Sequence, residues 1–431
     1  MVAAVILRLL PLILLCPIHR HVDAAHSAFV NHFAGATRIQ SRPKQNGVLT
    51  LHAKAGPRTG FAQQLLDVAL TSPIWEYVLV PQARASIVKT AEENGIPWVA
   101  AKEWLMTQED TPWNDPQTDN YCTIQYPEYY QKPFHAYSKG NLSYDAAFEQ
   151  ELASRSVGAR NFPKYSDRGE DVFRGAFDQA LSKLGAGSND SNREEVIVVD
   201  FGCGTGTSTR RLAKQYPHAT QLIGIDLSPY FIDVGQTLLK LAPSAIDVAD
   251  GNSNPQGWIT DIDSDARIQL RQGDIADTQL QSNSVSVVNL TFLLHEMPLY
   301  AAKQVILEAH RILQPGGQIW ICEMDFESPA YQAQRENALL FSLLRATEPY
   351  LDAYADGMPE LMEHIADIFH DVKITAATGR HYALVAEKSK VDAADKDTRG
   401  RTTIEDFRFQ EDGSYAVDDT HLKPWESKED S

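Results

Sequence analysis

Residues 196–209 read VIVVDFGCGTGTST. An apolar, β-branched run from Val196 to Val199 meets Asp200, and glycine then recurs at every second position: Gly202, Gly204 and Gly206. Ser208 and Thr209 open a helical pattern that carries Leu212 and Ala213. This order predicts a buried parallel strand, a tight loop and a helix N-terminus. Glycine lacks Cβ, so the loop can pass close to a ligand. The free N–H groups and positive end of the following helix favour a carboxylate or phosphate there.

A second short apolar strand, QLIGID at 221–226, ends in Asp226, 20 residues after Gly206. An acid at the tip of the second strand of a βαβ unit is placed to accept both hydroxyls of a ribose. The glycine spacing distinguishes two kinds of nucleoside ligand. Dinucleotide oxidoreductases prefer G-x-G-x-x-G, whereas this loop is G-x-G-x-G with Thr207 following. Asp200 also sits poorly beside a pyrophosphate and well beside an ammonium.

The segment resembles the first motif of the class I S-adenosylmethionine-dependent methyltransferases, and the resemblance continues downstream. RIQLR at 267–271 followed by QGDI at 272–275 resembles the third strand and its acid. SVSVVNLTFLLHEMP at 284–298 resembles the fourth strand and its exit. LQPGGQIWICE at 313–323 resembles the turn into strand five, and DVKIT at 371–375 with HYALVA at 381–386 resembles the closing antiparallel pair. The motifs are ordered, run from roughly 195 to 388, and look most like the type 11 small-molecule methyltransferases of quinone biosynthesis.

That resemblance implies an α/β fold: a doubly wound, seven-stranded, Rossmann-like sheet with its ligand at the carboxyl ends of the strands. It implies S-adenosyl-L-methionine as cofactor. Asp200 would hold the methionine ammonium, with Gly202, Cys203, Gly204 and Gly206 around the methionine moiety. Asp226 and Leu227 would lie at the ribose, Asp274 and Ile275 at the adenine, and Asn289 beside them at the end of strand four. Asp274 also has the position of an ordinary helix cap. Methyl transfer is an in-line displacement in which the protein fixes donor and acceptor and excludes water. Transfer to an oxygen or carbon acid acceptor can in addition use a base. His295, at the mouth of strand four, is the candidate base, with Glu296 orienting it or capping the next helix; a purely structural turn is the alternative.

The chain has 431 residues and a formal net charge of -18, which disfavours a long phosphate-binding face and so a nucleic-acid partner. Cys16, Cys122, Cys203 and Cys322 fit neither a zinc site nor a disulfide framework by spacing, and no metal is expected. Cys203 and Cys322 read as small buried apolar residues. Leu9 to Ile18 is an apolar stretch behind Arg8, followed by small residues at Ala24 and Ala25, as in a signal peptide. It is too short for a transmembrane helix. Ala24 to Gln64 then contains no acid but carries Arg38, Arg42, Lys44, Lys54 and Arg58, a transit-like composition. Together they resemble the bipartite leaders of complex plastids; secretion is the alternative. Sequons at Asn141, Asn189 and Asn289 do not decide between them, since Asn289 is expected in a core strand.

The expected organisation is a targeting leader at 1–59, a helical cap domain and linker at 60–190, a methyltransferase domain at 191–390 and a polar acidic tail at 391–431. Trp113, Tyr121, Tyr126, Tyr129, Tyr130, Phe134 and Tyr137 make an aromatic stretch expected either to line the site or to pack the cap against the sheet. The tail reads as solvated, with Phe407, Phe409 and Trp425 as docking anchors. The expected function is transfer of methyl from S-adenosylmethionine to a small, lipophilic acceptor in a plastid. A protein methyltransferase and a non-catalytic cofactor-binding protein are the alternatives.

Overall fold

Strand β1 (Ile197–Phe201) forms from the run that opens this account and lies inside a sheet of eight strands. The others are β2 (Gln221–Asp226), β3 (Ile268–Gln272), β4 (Val285–Thr291), β5 (Leu313–Met324), β6 (His370–Ala376), β7 (His381–Glu387) and β8 (Glu405–Asp406). Their order across the sheet is β3-β2-β1-β4-β5-β7-β6-β8. The five strands from β3 to β5 are parallel, β7 runs antiparallel between β5 and β6, and β8 joins β6 in parallel. Chain order reverses between β1 and β4, and at such a switch point a crevice opens beyond the carboxyl ends of the strands.

The computed structural model describes residues 80–114, 124–135, 137–188, 195–241, 265–336, 341, 345, 347–390 and 402–417. The chain divides into two compact units, Met1–Lys89 and Thr90–Ser431. Of the first, only the opening of helix α1 (Val80–Glu93) is described; all that follows concerns the second. The expected leader, Cys16, Cys122 and Trp425 fall outside the described residues.

Helices α2 (Trp98–Met106), α3 (Tyr144–Asn161) and α4 (Gly169–Lys183) precede the sheet. Ser143 caps α3, its Oγ accepting a hydrogen bond from the Ala146 N–H at 3.4 Å. Helices α3 and α4 meet through small residues: a Cβ on Gly158 would stand 2.3 Å from the Glu170 backbone. Helices α5 (Thr207–Gln215), α6 (Pro229–Leu241), α7 (Leu299–Ile312), α8 (Pro329–Glu336) and α9 (Leu351–Ile368) follow β1, β2, β4 and β5 in the doubly wound pattern.

Successive strand residues point to opposite faces, and both faces are covered. On one face Val199, Phe201, Val288, Leu290 and Ile321 pack with Val305, Leu361 and Ile365. On the other, Val198, Leu222, Val287 and Trp320 pack with Phe173, Phe177 and Leu212. Phe173 and Phe177 belong to α4, which therefore packs directly on the sheet.

The tail also departs from expectation. Residues 402–417 lie against the sheet edge, where β8 makes the eighth strand beyond the seven expected. The anchors are Arg408 and Tyr415, whose guanidinium and hydroxyl reach the fully buried Asp325 at 3.1 and 2.6 Å. Phe407 and Phe409 stay largely exposed.

Candidate active site

The glycine loop is held by two elements, β2 and α3. From β2, the Ile225 carbonyl accepts from the Gly202 and Cys203 N–H groups at 2.8 and 3.2 Å. Asp226 Oδ2 accepts from the Gly204 N–H at 2.9 Å. From α3, Gln150 Oε1 accepts from the Thr205 N–H at 2.6 Å. Gly202, Gly204 and Gly206 all have positive φ, at 66°, 55° and 87°, a conformation strained for any residue with a Cβ. Buried Glu151 accepts from Arg210 Nη2 at 2.7 Å and Thr207 Oγ1 at 2.6 Å, and Arg210 Nη1 donates to the Thr205 carbonyl at 2.9 Å. Helix α3 therefore braces the loop.

Asp200 is buried at the end of β1. Its Oδ2 accepts from the Ser208 and Thr209 hydroxyls, both at 2.6 Å, and its Oδ1 from Asn289 Nδ2 at 2.7 Å. Asn289 faces it across the β1–β4 pairing and is buried, so its sequon sits where no glycan fits. Burial raises the Asp200 pKa, and the three hydrogen bonds oppose that rise. Asp226 accepts on Oδ1 from the Ser228 N–H at 2.8 Å and, at the longer distance of 3.4 Å, from the Tyr130 hydroxyl. Burial pushes its pKa up to about 6.

The aromatic stretch lies over these positions. Tyr126 and Tyr130 stack with centroids 6.3 Å apart. The Tyr126 hydroxyl accepts from Gln272 Nε2 at 3.3 Å, and Gln272 also donates to the Leu227 carbonyl at 3.1 Å. Tyr129 packs edge-on against Tyr300 and Tyr350; burial and then the Asp274 charge raise its pKa to about 12. Asp274 itself makes a local turn, Oδ1 accepting from the Ala276 N–H at 2.8 Å, while Ile275 packs into the sheet core. Cys203 and Cys322 are free and buried.

A second cluster stands at the exits of β4 and β5. His295 Nδ1 lies 2.8 and 3.0 Å from the two carboxylate oxygens of Glu323, which is fully buried at the end of β5. Glu323 also accepts from the N–H groups of Leu294 at 2.9 Å and Met324 at 2.8 Å. On the other side, His295 Nε2 lies 4.0 Å from Glu348 Oε2, and Glu348 Oε1 pairs with His135 Nε2 at 2.7 Å. His135 adopts a positive φ of 50°, and its N–H donates to the Thr347 carbonyl at 3.0 Å. Burial alone would lower the His295 pKa. The carboxylates, Glu323 foremost and then Glu348 and Glu296, outweigh it and hold the ring at about 9. Burial lifts Glu296 to about 7.

The neighbouring carboxylates favour the protonated form of His295. In this form it offers a positive charge and a proton on Nε2. Asp200, the glycine loop, Asp226, Leu227 and Asn289 are brought together around β1; Asp274 and Ile275 stand one strand further out, at the end of β3. Gln150, Glu151, Gln272, Glu323, Glu348 and His135 had no role assigned from the sequence. Glu323 closes the strand-five motif as a charged residue at the tip of an apolar run, and that signal was available.

A family model described as a methyltransferase domain matches residues 199–321. The chain is 31% identical, over 152 residues, to an uncharacterized methyltransferase of Emericella nidulans, covering 33% of this chain and 47% of that protein. It is 30% identical over 127 residues to a demethylmenaquinone methyltransferase of Lactobacillus johnsonii, covering 30% of this chain and 43% of that protein. These matches thus span less than half the length of either relative. Among solved structures, a putative S-adenosylmethionine-dependent methyltransferase from Methanococcus maripaludis aligns over 63% of this chain and 99% of its own, with 13% identity and a TM-score of 0.37. Residues 199–321, set in the doubly wound sheet, match a methyltransferase domain, and through that domain the chain resembles the class I S-adenosylmethionine-dependent methyltransferases.

Proposed function

We propose that the protein transfers a methyl group from S-adenosylmethionine to a small, lipophilic acceptor. The observation that carries this reading is the convergence, at the sheet's switch point, of the β1 glycine loop, Asp200 and Asp226 with a buried histidine–carboxylate pair at the next strand exits. The residues fit the cofactor. Asp226 Oδ2 accepts only from the Gly204 N–H among the described residues, which leaves acceptor capacity for a ribose hydroxyl. Asp200 Oδ1 accepts only from Asn289 among the described residues and retains a lone pair for an ammonium.

When bound, S-adenosylmethionine supplies an activated methyl on a sulfonium. Asp226 and the loop hold the nucleoside end, and Asp200 the amino end. The tyrosines at 126, 129 and 130 cover the nucleoside positions and keep water out. His295, charged and held by Glu323, places a fixed positive charge beside the β4 exit. A lipophilic acceptor accords with the aromatic wall of Tyr129, Tyr300 and Tyr350. The demethylmenaquinone methyltransferase relatives make a quinol-type acceptor a first choice for assay.

The leader composition supports a plastid location. Residues 1–59 fused to a fluorescent protein are expected to reach the plastid of an alga with a complex plastid; secretion of the fusion contradicts this. The activity is tested by mixing the protein with methyl-labelled S-adenosylmethionine and fractionated plastid extract, with Asp226→Ala as control. Label in the organic phase is the expected outcome. Label in precipitated protein would make the protein a polypeptide methyltransferase instead.

A further inference from the structure

Glu348 stands out among the buried groups of the second cluster. Its Oε1 is paired with His135, yet its Oε2 is shielded from solvent and has no hydrogen-bond partner among the described residues. A buried carboxylate oxygen left without a donor is costly, and such oxygens generally meet one when the site is complete. Glu348 precedes α9, in the crossover after β5, and its Oε2 lies 4.0 Å from His295 Nε2 at the β4 exit. That is the side of the sheet on which an acceptor must meet the cofactor.

We propose that Glu348 Oε2 is the anchor for the acceptor, and that it selects an acceptor presenting a neutral hydroxyl donor. The inference rests on the methyltransferase reading above. The charges around Glu348 decide the chemistry. From the N-terminal segment it faces His135, from the β4 exit His295 and Glu296, and from β5 Glu323 behind His295. Its two nearest neighbours are imidazoles, which disfavour an ammonium group. Glu323, Glu296 and Glu348 itself disfavour a carboxylate or phosphate. A neutral O–H satisfies the orphaned oxygen without bringing in a charge. Burial tends to raise the Glu348 pKa, but His135 and then His295 outweigh it and hold the carboxyl below its ordinary value. The anchor thus stays ionised across the neutral range.

The test uses the full chain with S-adenosylhomocysteine bound, and two probes of similar shape: 2-naphthol, which carries a hydroxyl donor, and 2-methoxynaphthalene, which does not. Wild type is expected to prefer 2-naphthol by roughly tenfold or more, as for a hydrogen bond to a charged acceptor. Glu348→Gln, whose amide accepts only a neutral hydrogen bond, is expected to reduce the preference to about threefold or less while leaving affinity for S-adenosylhomocysteine unchanged. Equal binding of the two probes by wild type overturns the proposal, as does an undiminished preference in the variant. Should the variant fail to fold, the pH dependence of wild type decides. A preference that persists from pH 8 down to about pH 5 fits Glu348. A preference that changes near pH 7 assigns the anchoring carboxylate to Glu296 and overturns the proposal. Absence of S-adenosylhomocysteine binding by wild type is a separate result, and it counts against the methyltransferase reading itself.

Discussion

The two halves of the proposed site, one for the cofactor and one for the acceptor, are built in opposite ways. The cofactor half comes from one βαβ unit, in which Asp200, the glycine loop and Asp226 lie within a single short span of chain. The acceptor half is gathered from four distant places: His135 before α3, His295 after β4, Glu323 at the end of β5 and Glu348 before α9. The first half consists of backbone N–H groups and carboxylates whose geometry follows from local chain conformation. The second is an alternation of carboxylate and imidazole that only the tertiary fold can assemble. Residues of the first should therefore govern nucleoside binding, and residues of the second stability, pH response and acceptor choice.

The largest effect that can break this comparison is at Glu323. Glu323→Ala leaves the His295 charge buried without its main partner, which costs about 3–5 kcal/mol for a broken buried pair. Chemical denaturation should show that loss, and an unchanged midpoint would mean the pair contributes little. The next effect is alkaline. The folded His295 pKa of about 9 lies above its ordinary 6.5, so its contribution is fully present below about pH 6.5 and is lost as pH rises through about 9. Up to roughly 3 kcal/mol is at stake. A denaturation series from pH 6 to 10 should lose that stability in wild type and not in His295→Gln. Turnover divides the two roles of His295 in the same window: as a cation it supports transfer that declines above about pH 9, and as a base it supports transfer that rises through it.

Asp226→Ala comes third. A hydrogen bond to a charged group is worth about 1.5–3 kcal/mol, so S-adenosylhomocysteine should bind roughly 10- to 150-fold more weakly, with the fold retained. Because the Asp226 pKa is about 6, wild-type affinity should also decline as pH falls through that value and the carboxylate takes up a proton. The smallest effect is at Tyr130. Its hydrogen bond to Asp226 is long at 3.4 Å, so Tyr130→Phe should change nucleoside affinity by only about threefold or less. A large loss would move Tyr130 from cover to binding group and blur the boundary between the halves.

The same division governed what was legible in the sequence. The strand–loop–helix at 196–209 was readable because its period, its glycines and its acid are contiguous. The second strand was readable as a short apolar run ending in an acid, and the later parallel strands and the antiparallel pair through their resemblance to ordered methyltransferase motifs. The His295–Glu323 pair was not, because residues 28 apart on separate strand exits meet only through the β4–β5 pairing. Glu348 and His135 carry no local pattern at all. Arg408 was missed for a related reason: a polar tail looks solvated until the buried Arg408 guanidinium is seen to neutralise Asp325. The expectation that Phe407 and Phe409 anchor the tail weighed apolar area and overlooked a buried charge in need of a partner.

The central claim is that nucleoside binding and acceptor selection reside in separate halves of one methyltransferase site. Calorimetric titration of S-adenosylhomocysteine into wild type, Asp226→Ala and Glu348→Gln, side by side at neutral pH, tests it most directly. The account predicts binding to wild type, equal affinity for Glu348→Gln, and affinity at least tenfold weaker for Asp226→Ala. No binding to wild type, or equal losses in the two variants, would contradict it.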